Sequence, residues 1–302
     1  MKGIVSKSTG SWYKVLLTDG SEVDARLRGK IRTLNLKSTN PVVVGDEVLL
    51  DFVEEEYSIR EVCERHNCIV RKSHNLSKQF QIIAANIDHA FLIISPAKPH
   101  TPMGFIDRFL ASAEAYHIPI SILLNKKDLN SKKAESHREM LMELYPTIGY
   151  DIYNVSFLDD ADIAKIKNLV ADKCVLLAGN SGVGKSTLIN ALLPDSNQKV
   201  SAVSTSYDKG RHTTTFAQMF VGANGYRIID TPGIKDFGMV DMQPSLVSHY
   251  FPEMRALLAG CKFNDCVHTE EPECKVVEAL HNGEISPSRY VNYLGILEEV
   301  TK

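Results

Sequence analysis

The sequence predicts an α/β protein in three parts, and three observations carry that prediction. Short alternating segments broken by turn signals fill roughly the first 68 residues, strand and helix patterns alternate from about 86 to 229, and three cysteines and a histidine crowd into a polar stretch near the carboxyl end. The first pattern describes a small β-barrel, the second a parallel sheet with crossover helices, and the third a small helical unit stapled by a metal ion. With 302 residues, 44% hydrophobic and 24% charged, the chain has the composition of an ordinary globular protein and enough length for two or three compact units. Fibrous repeats and wholesale disorder are excluded.

In the barrel region the predicted strands are Trp12–Leu17, 23–27, 42–44 and 48–53, separated by Asp19 with Gly20, Arg28 with Gly29, and Gly45 with Asp46. The central region offers strands at 90–94, Ile120–Leu124, 151–155, Cys174–Ala178 and 226–229. Its helices are expected at 105–116, 135–144, 163–170 and Lys185–Leu192. Beyond about 242 the pattern turns helical and irregular, so the units are expected at 1–68, 69–242 and 243–302. The formal charge of −3 advertises no global field, and basic contacts must come from local patches. No apolar run approaches the ~20 residues that span a bilayer, and the amino terminus lacks the apolar core of a leader. The chain is therefore read as cytoplasmic and without a membrane partner; a monomer is expected.

The run Gly179, Asn180, Ser181, Gly182, Val183, Gly184, Lys185, Ser186 fits G-x-x-x-x-G-K-S, and Thr187 follows it. It lies between an apolar strand and an amphipathic helix, which is the context a phosphate loop requires. Successive backbone N–H groups there point at phosphate oxygens, Lys185 adds positive charge, and the Ser186 hydroxyl is a Mg²⁺ ligand. A mere glycine turn before a helix is the bland alternative. Downstream, Asp230 ends a buried strand, placed to hold Mg²⁺ through water, and Gly233 leaves an N–H for a γ-phosphate. Between them, Gly210 to Thr215 form a polar loop with three threonines, a source of one more hydroxyl for the metal or simply a strand edge.

Upstream, Asn125, Lys126, Lys127 and Asp128 follow a predicted strand and match N-K-x-D. Asp128 can accept from the N1–H and exocyclic amine that guanine presents and adenine does not. The Lys126 stem can lie over the ring, and Asn125 can tie this loop to the phosphate loop. At the end of the next strand the segment Asn154, Val155, Ser156 is expected to offer a backbone N–H to the guanine oxygen, with Ser156 counted among the nucleotide-binding residues. GTP and GDP are thus the expected ligands. Proteins with this pair of motifs ordinarily carry the phosphate loop first; here the guanine motif at 125 precedes the phosphate loop at 179, so the order is rotated. A parallel sheet tolerates the rotation, because all the binding loops leave one edge of the strands.

Cys261, Cys266, His268 and Cys274 offer three thiolates and one imidazole within fourteen residues, a complete tetrahedral set for structural Zn²⁺. Lys262, Asn264, Asp265, Glu270 and Glu273 make the stretch too polar for a core without a metal. Cys63, His66 and Cys68 lack a fourth partner and are read as non-metal residues. Arg26, Arg28, Lys30, Arg32 and Lys37 occur with no intervening acid, as do the bases between Arg65 and Ile87. With Trp12, Tyr13 and Phe52 they describe either a nucleic-acid surface or a solvated barrel face.

On these motifs, with Gly10 to Tyr13, Arg28 to Lys30 and Ala84 to Asp88, the sequence resembles the circularly permuted GTPases of the RsgA (YjeQ) family over nearly its whole length. The resemblance implies an OB-fold barrel, a central circularly permuted P-loop GTPase domain and a zinc-binding carboxyl-terminal domain. It further implies late maturation of the small (30S) ribosomal subunit, contact with its 16S rRNA, and hydrolysis stimulated by that subunit. The water-orienting glutamine position after D-x-x-G holds Ile234, which forms no hydrogen bond; by the family's G-x-x-H-T-T pattern His212 takes that part and Thr214 binds Mg²⁺. An RNA-binding protein that uses GTP only as a switch, and a GTPase with a non-ribosomal partner, stay open as rival readings.

Overall fold

In the computed structural model the described residues are 1–27, 40–72, 80–194, 217–222, 225–231 and 242–301. Five strands, β1 (Lys2–Ser8), β2 (Trp12–Leu17), β3 (Glu22–Leu27), β4 (Glu47–Val53) and β5 (Glu56–Val62), run in the order β1-β2-β3-β5-β4, and a β1–β4 pairing closes them into a barrel. Alternate side chains fill it: Val5, Tyr13, Val15, Leu17, Ala25, Val48, Leu50 and Ile59 are buried together. The barrel is the expected one, but β1 and β5 were not legible as strands. The β4–β5 turn explains the second omission, since it is made by Glu54 and Glu55 at φ 55° and 63° rather than by the glycine or asparagine that ordinarily marks such a hairpin. Residues 42–44, expected as a strand, make only an isolated bridge from Val44 to Ala84. A hairpin of β6 (Cys68–Lys72) and β7 (Phe80–Ala85) follows the barrel as a separate two-stranded sheet.

The central sheet contains β8 (His89–Ile94), β9 (Ile120–Leu124), β10 (Asp151–Asn154), β11 (Cys174–Ala178), β12 (Gln218–Val221) and β13 (Arg227–Asp230) in the order β10-β9-β8-β11-β13-β12. All are parallel except β12, which pairs antiparallel with β13. Helices α1 (Met103–Ala115), α2 (Lys132–Thr147), α3 (Asp160–Val170) and α4 (Lys185–Leu192) cover the sheet. Strand parity sorts the two faces. Ala90, Leu92 and Ile94 join Ile106, Phe109 and Leu110 of α1 and Leu141 of α2, whereas Phe91 and Ile93 join Ile163 and Ile166 of α3 and Leu188 and Ile189 of α4. Helix α2 starts three residues before its predicted position because Ser131 caps it, its hydroxyl accepting from the Ala134 N–H at 3.3 Å.

The barrel and the central sheet are one hydrogen-bonded surface: β1 pairs antiparallel with β12, Lys7 opposite Gln218. At the other end of the chain, two 3₁₀ turns (Pro244–Tyr250 and Leu258–Gly260) and helices α5 (Pro252–Arg255), α6 (Lys275–His281) and α7 (Pro287–Thr301) build the small irregular unit. Its core of Val247, Phe251, Met254, Val276, Tyr293 and Ile296 reaches Ala111 of α1. Among the described residues no helix is long and apolar enough to cross a membrane.

One buried cation fastens this unit to the sheet. Arg289 of α7, 1% exposed, donates to Asp107 of α1 at 2.8 Å and to both carboxylate oxygens of Glu253 at 2.7 and 3.1 Å. Its guanidinium lies 4.5 Å from the Phe251 ring centroid. Asp107 also accepts from Tyr145 at 2.8 Å and from Asn292 at 2.5 Å, so every member is hydrogen-bonded. Replacing Arg289 by Leu strands two buried carboxylates. The variant is expected to lose about 3–5 kcal/mol of stability in chemical denaturation, the scale of a buried pair deprived of one partner.

Candidate functional site

The loops that leave the carboxyl ends of β8, β9, β10 and β11, together with Asp230 at the end of β13, meet along one edge of the sheet. The phosphate loop and the N-K-x-D loop are therefore neighbours in space although 54 residues separate Asn125 from Gly179 in the chain. Asn125, buried at the tip of β9, makes the junction. Its Nδ2 donates to the Val183 carbonyl at 2.7 Å, and its Oδ1 accepts the Phe157 N–H at 3.0 Å. One amide thus links the loops after β9, β10 and β11.

Glycine is required where these loops approach. Gly179 sits at φ +145°, where a Cβ would lie 2.3 Å from the Ile93 carbonyl oxygen; Gly184 sits at φ +110°, where a Cβ would lie 2.5 Å from Asn125 Nδ2. From this turn α4 begins, and Lys185 and Ser186 are its first two residues. The Lys185 ammonium bends back over the loop, donating to the carbonyls of Gly179 at 2.5 Å and Asn180 at 3.0 Å. Burial holds its pKa below the ordinary lysine value, and the Asp230 carboxylate opposes that shift. Backbone amides around such a loop and a partly desolvated ammonium make a receptor for phosphate oxygens.

Asp230 is 7% exposed, and among the described residues its buried Oδ1 has no hydrogen-bond partner. Burial pushes its pKa up against the opposing pull of Lys185. An orphaned carboxylate oxygen beside a phosphate loop fits the approach of a hydrated divalent cation, which restores both a partner and a counter-charge. Gly210 to Thr215 and Gly233, with His212 and Thr214 among them, lie outside the described residues.

At the base end, Asp128 is exposed, and its Oδ1 accepts from the Ser156 hydroxyl at 2.9 Å. Lys126, at φ +70°, reaches across to donate to the Gly182 carbonyl at 3.0 Å and also to the Lys98 carbonyl. In this structure the Ser156 backbone N–H is donated to Asp162 at 2.8 Å, while its hydroxyl is the group that meets Asp128. The buried Asp162 carboxylate takes that amide because it needs donors of its own. Lys98 and Pro99 were missed as neighbours of the site. Their loop follows β8 and so emerges at the same edge, a signal available from the strand pattern alone; Pro99 lies 3.4 Å from where a Gly182 Cβ would stand. Arg138 of α2 carries no such signal, yet one of its nitrogens donates to the carbonyls of Lys126, Lys127 and Leu129 at 3.4, 3.2 and 2.8 Å.

A second centre lies in the carboxyl-terminal unit. The ligand atoms of Cys261, Cys266, His268 and Cys274 all fall within 4.8 Å of one another, and among the described residues no other cluster of histidine, cysteine and acid could hold a metal ion. His268 Nδ1 stands 3.7 Å from Cys261 Sγ and 3.3 Å from Cys274 Sγ, near the nitrogen–sulfur edge of about 3.6 Å expected around a tetrahedral zinc ion. Burial pushes the Cys266 thiol up to about 12 and raises Cys274 as well, a cost that a divalent cation offsets. Tyr290 and Tyr293 donate to the carbonyls of His268 and Val267, both at 2.7 Å, and so pin the ligand loop to α7.

On the barrel, Trp12 is 43% exposed with the Arg26 guanidinium 3.7 Å from its ring centroid, and Phe52 is 56% exposed against Tyr57. Two members of the expected surface belong to the interior instead. Tyr13 is buried with its hydroxyl on the Gly10 carbonyl, and Arg65 is largely buried in a two-point pair with Asp46 at 2.6 and 2.7 Å. Arg28, Lys30, Arg32 and Lys37 lie outside the described residues.

Two family models match the chain: the RsgA N-terminal domain over residues 2–59 and the RsgA GTPase over residues 62–240. A protein of Bacteroides thetaiotaomicron named small ribosomal subunit biogenesis GTPase RsgA 2 is 46% identical, the alignment covering 99% of this chain and 97% of that protein. The RsgA of Christiangramia forsetii is 47% identical, with 99% and 96% covered. Among solved structures, YjeQ from Thermotoga maritima superposes with TM-score 0.78 at 32% identity over 99% of this chain and 98% of that one. YloQ, described as a circularly permuted GTPase, gives TM-score 0.74 at 26% identity over 99% and 94%.

Gly184→Ala is expected to weaken nucleotide binding at least tenfold, since the methyl meets the Asn125 amide and the φ favours glycine. Titration with a fluorescent guanine nucleotide reads this directly. Unchanged affinity would show that the junction between the loops does not shape the pocket.

Proposed function

The chain belongs to the RsgA family of GTPases, and from that premise we propose that it hydrolyses GTP in the biogenesis of the small ribosomal subunit. The observation that carries the reading is the Asn125 junction, which unites a guanine-selective loop and a phosphate loop that the chain order separates. Asp128 accepts the two donors of the guanine edge, and the Lys126 stem lies along the ring. Gly179 to Thr187 wrap the phosphates, with Lys185 leaving its loop carbonyls for the β- and γ-oxygens. Ser186 and Thr214 would hold Mg²⁺, with Asp230 reaching it through water, and the ion would supply positive charge against the phosphates when bound. The Gly233 N–H serves the γ-phosphate.

His212 orients the water whose oxygen attacks the γ-phosphorus, while the bond to the β–γ bridging oxygen breaks and GDP leaves. A histidine suits the role because its ordinary pKa lies near neutrality. Partner contact that orders this loop accelerates turnover, and hydrolysis then times departure from the subunit. In this reading the barrel (1–68) meets 16S rRNA through Trp12, Arg26 and the basic run beyond it, the GTPase unit spans 69–242, and residues 243–302 carry one structural Zn²⁺. The protein acts as a monomer in the cytoplasm.

GTP turnover is expected to rise when purified small subunits are added, and His212→Ala to remove about 100-fold or more of the stimulated rate, the usual scale of a positioned acid–base group. Normal stimulated turnover in that variant would refute the water-positioning role, and failure to sediment with small subunits in a nonhydrolysable analogue would refute the ribosomal one. For the metal, elemental analysis is expected to find one zinc per chain, and Cys266→Ser to lose it together with cooperative unfolding of the carboxyl-terminal unit. A variant that retains zinc at full stoichiometry would refute this ligand set.

A further inference from the structure

The third residue of the guanine loop, Lys127, has no part in the base contacts described above, yet its ammonium is ion-paired with two carboxylates. Its ammonium lies 2.5 Å from Asp162 and 2.8 Å from Asp159, both at the start of α3. Asp159 caps that helix, accepting from the Ala161 N–H at 2.9 Å. Asp162 is 2% exposed, and the same oxygen that meets Lys127 accepts the Ser156 N–H at 2.8 Å. Ser156 in turn donates its hydroxyl to Asp128 at 2.9 Å. The four residues form an unbroken chain from a buried carboxylate to the acid that reads the base. Lys165, on the next turn of α3, stands 3.7 Å from the other Asp162 oxygen and is 74% exposed, too far into solvent to replace Lys127.

We infer that Lys127 and Asp162 are positioning residues for guanine selectivity: their ion pair fixes Ser156, and Ser156 fixes the carboxylate of Asp128 in the plane of the purine edge. The inference deepens the guanine-nucleotide reading above and rests on it. Asp128 gains selectivity only if both of its oxygens meet donors on the base, and the one tethered by Ser156 sets the direction of the other. A carboxylate released from that tether still attracts the ring N1–H but loses its alignment with the exocyclic amine. Loss of the pair should therefore be felt as lost discrimination, beyond any lost affinity.

The test compares GDP with inosine diphosphate, which lacks the exocyclic amine, and with ADP, by calorimetric titration of the full-length chain. A charge-assisted hydrogen bond to that amine corresponds to a GDP preference of about 10- to 100-fold over inosine diphosphate. Lys127→Met and Asp162→Asn are each expected to cut that ratio at least fivefold, the double variant to match the single ones, and Lys127→Arg to keep it within twofold. Parallel loss of affinity for both nucleotides with an unchanged ratio would overturn the inference and leave a purely structural pair. A parent chain with no preference for GDP over ADP would overturn the guanine reading itself and this inference with it.

Discussion

The carboxamide of Asn125 is the contact on which the rest of the site depends. It is buried, and it spends both of its polar atoms on backbone: a carbonyl of the phosphate loop on one side and an amide of the loop after β10 on the other. An aspartate at this position would set a charge against the Val183 carbonyl, and a leucine would orphan two backbone groups inside the protein. The glycine at 184 answers the same constraint from the opposite side, because any side chain there would occupy the space of the amide. The phosphate loop and the N-K-x-D loop are thereby held at a fixed distance by one side chain.

That arrangement explains why the rotated chain order is harmless. The loops converge because the strands are parallel and end together, and neither property depends on which strand comes first. The rotation does change what is attached to the site. Asp230 ends a strand after which the chain leads to the unit that carries the cysteine–histidine cluster, and that unit is fastened to α1 by Arg289 between Asp107 and Glu253. The cysteine–histidine cluster and the Arg289 network border the same small core, with Tyr293 contributing to that core and holding the Val267 carbonyl.

Elements with strong periodicity were legible from the chain alone. Trp12–Leu17, Ile120–Leu124, Cys174–Ala178 and Lys185–Leu192 fall where the pattern puts them, because buried parallel strands and a helix opened by a glycine turn leave distinct signatures. The strand Glu56–Val62 was hidden by a turn built from two glutamates at positive φ, and Lys2–Ser8 by the mixed exposure of a strand that pairs with three others. In the site, motif residues were legible as residue types, and so was the Asn125 tie to the phosphate loop, but the rest of the wiring was not. Ser156 could be placed near the base, whereas the diversion of its amide to Asp162 depends on a carboxylate six positions away that must find donors because it is buried. Tyr13 and Arg65 read as surface groups by type and are interior groups by position, since a barrel strand points alternate residues inward and a buried aspartate recruits the nearest guanidinium.

Strand β1 belongs to two bodies at once, bonded to β2 and β4 within the barrel and to β12 of the nucleotide sheet. The barrel is consequently no bead on a tether. Tilting the barrel away from the nucleotide sheet would have to break the pairing of Lys7 with Gln218, on the strand beside the one that ends in Asp230, so the two share a backbone seam.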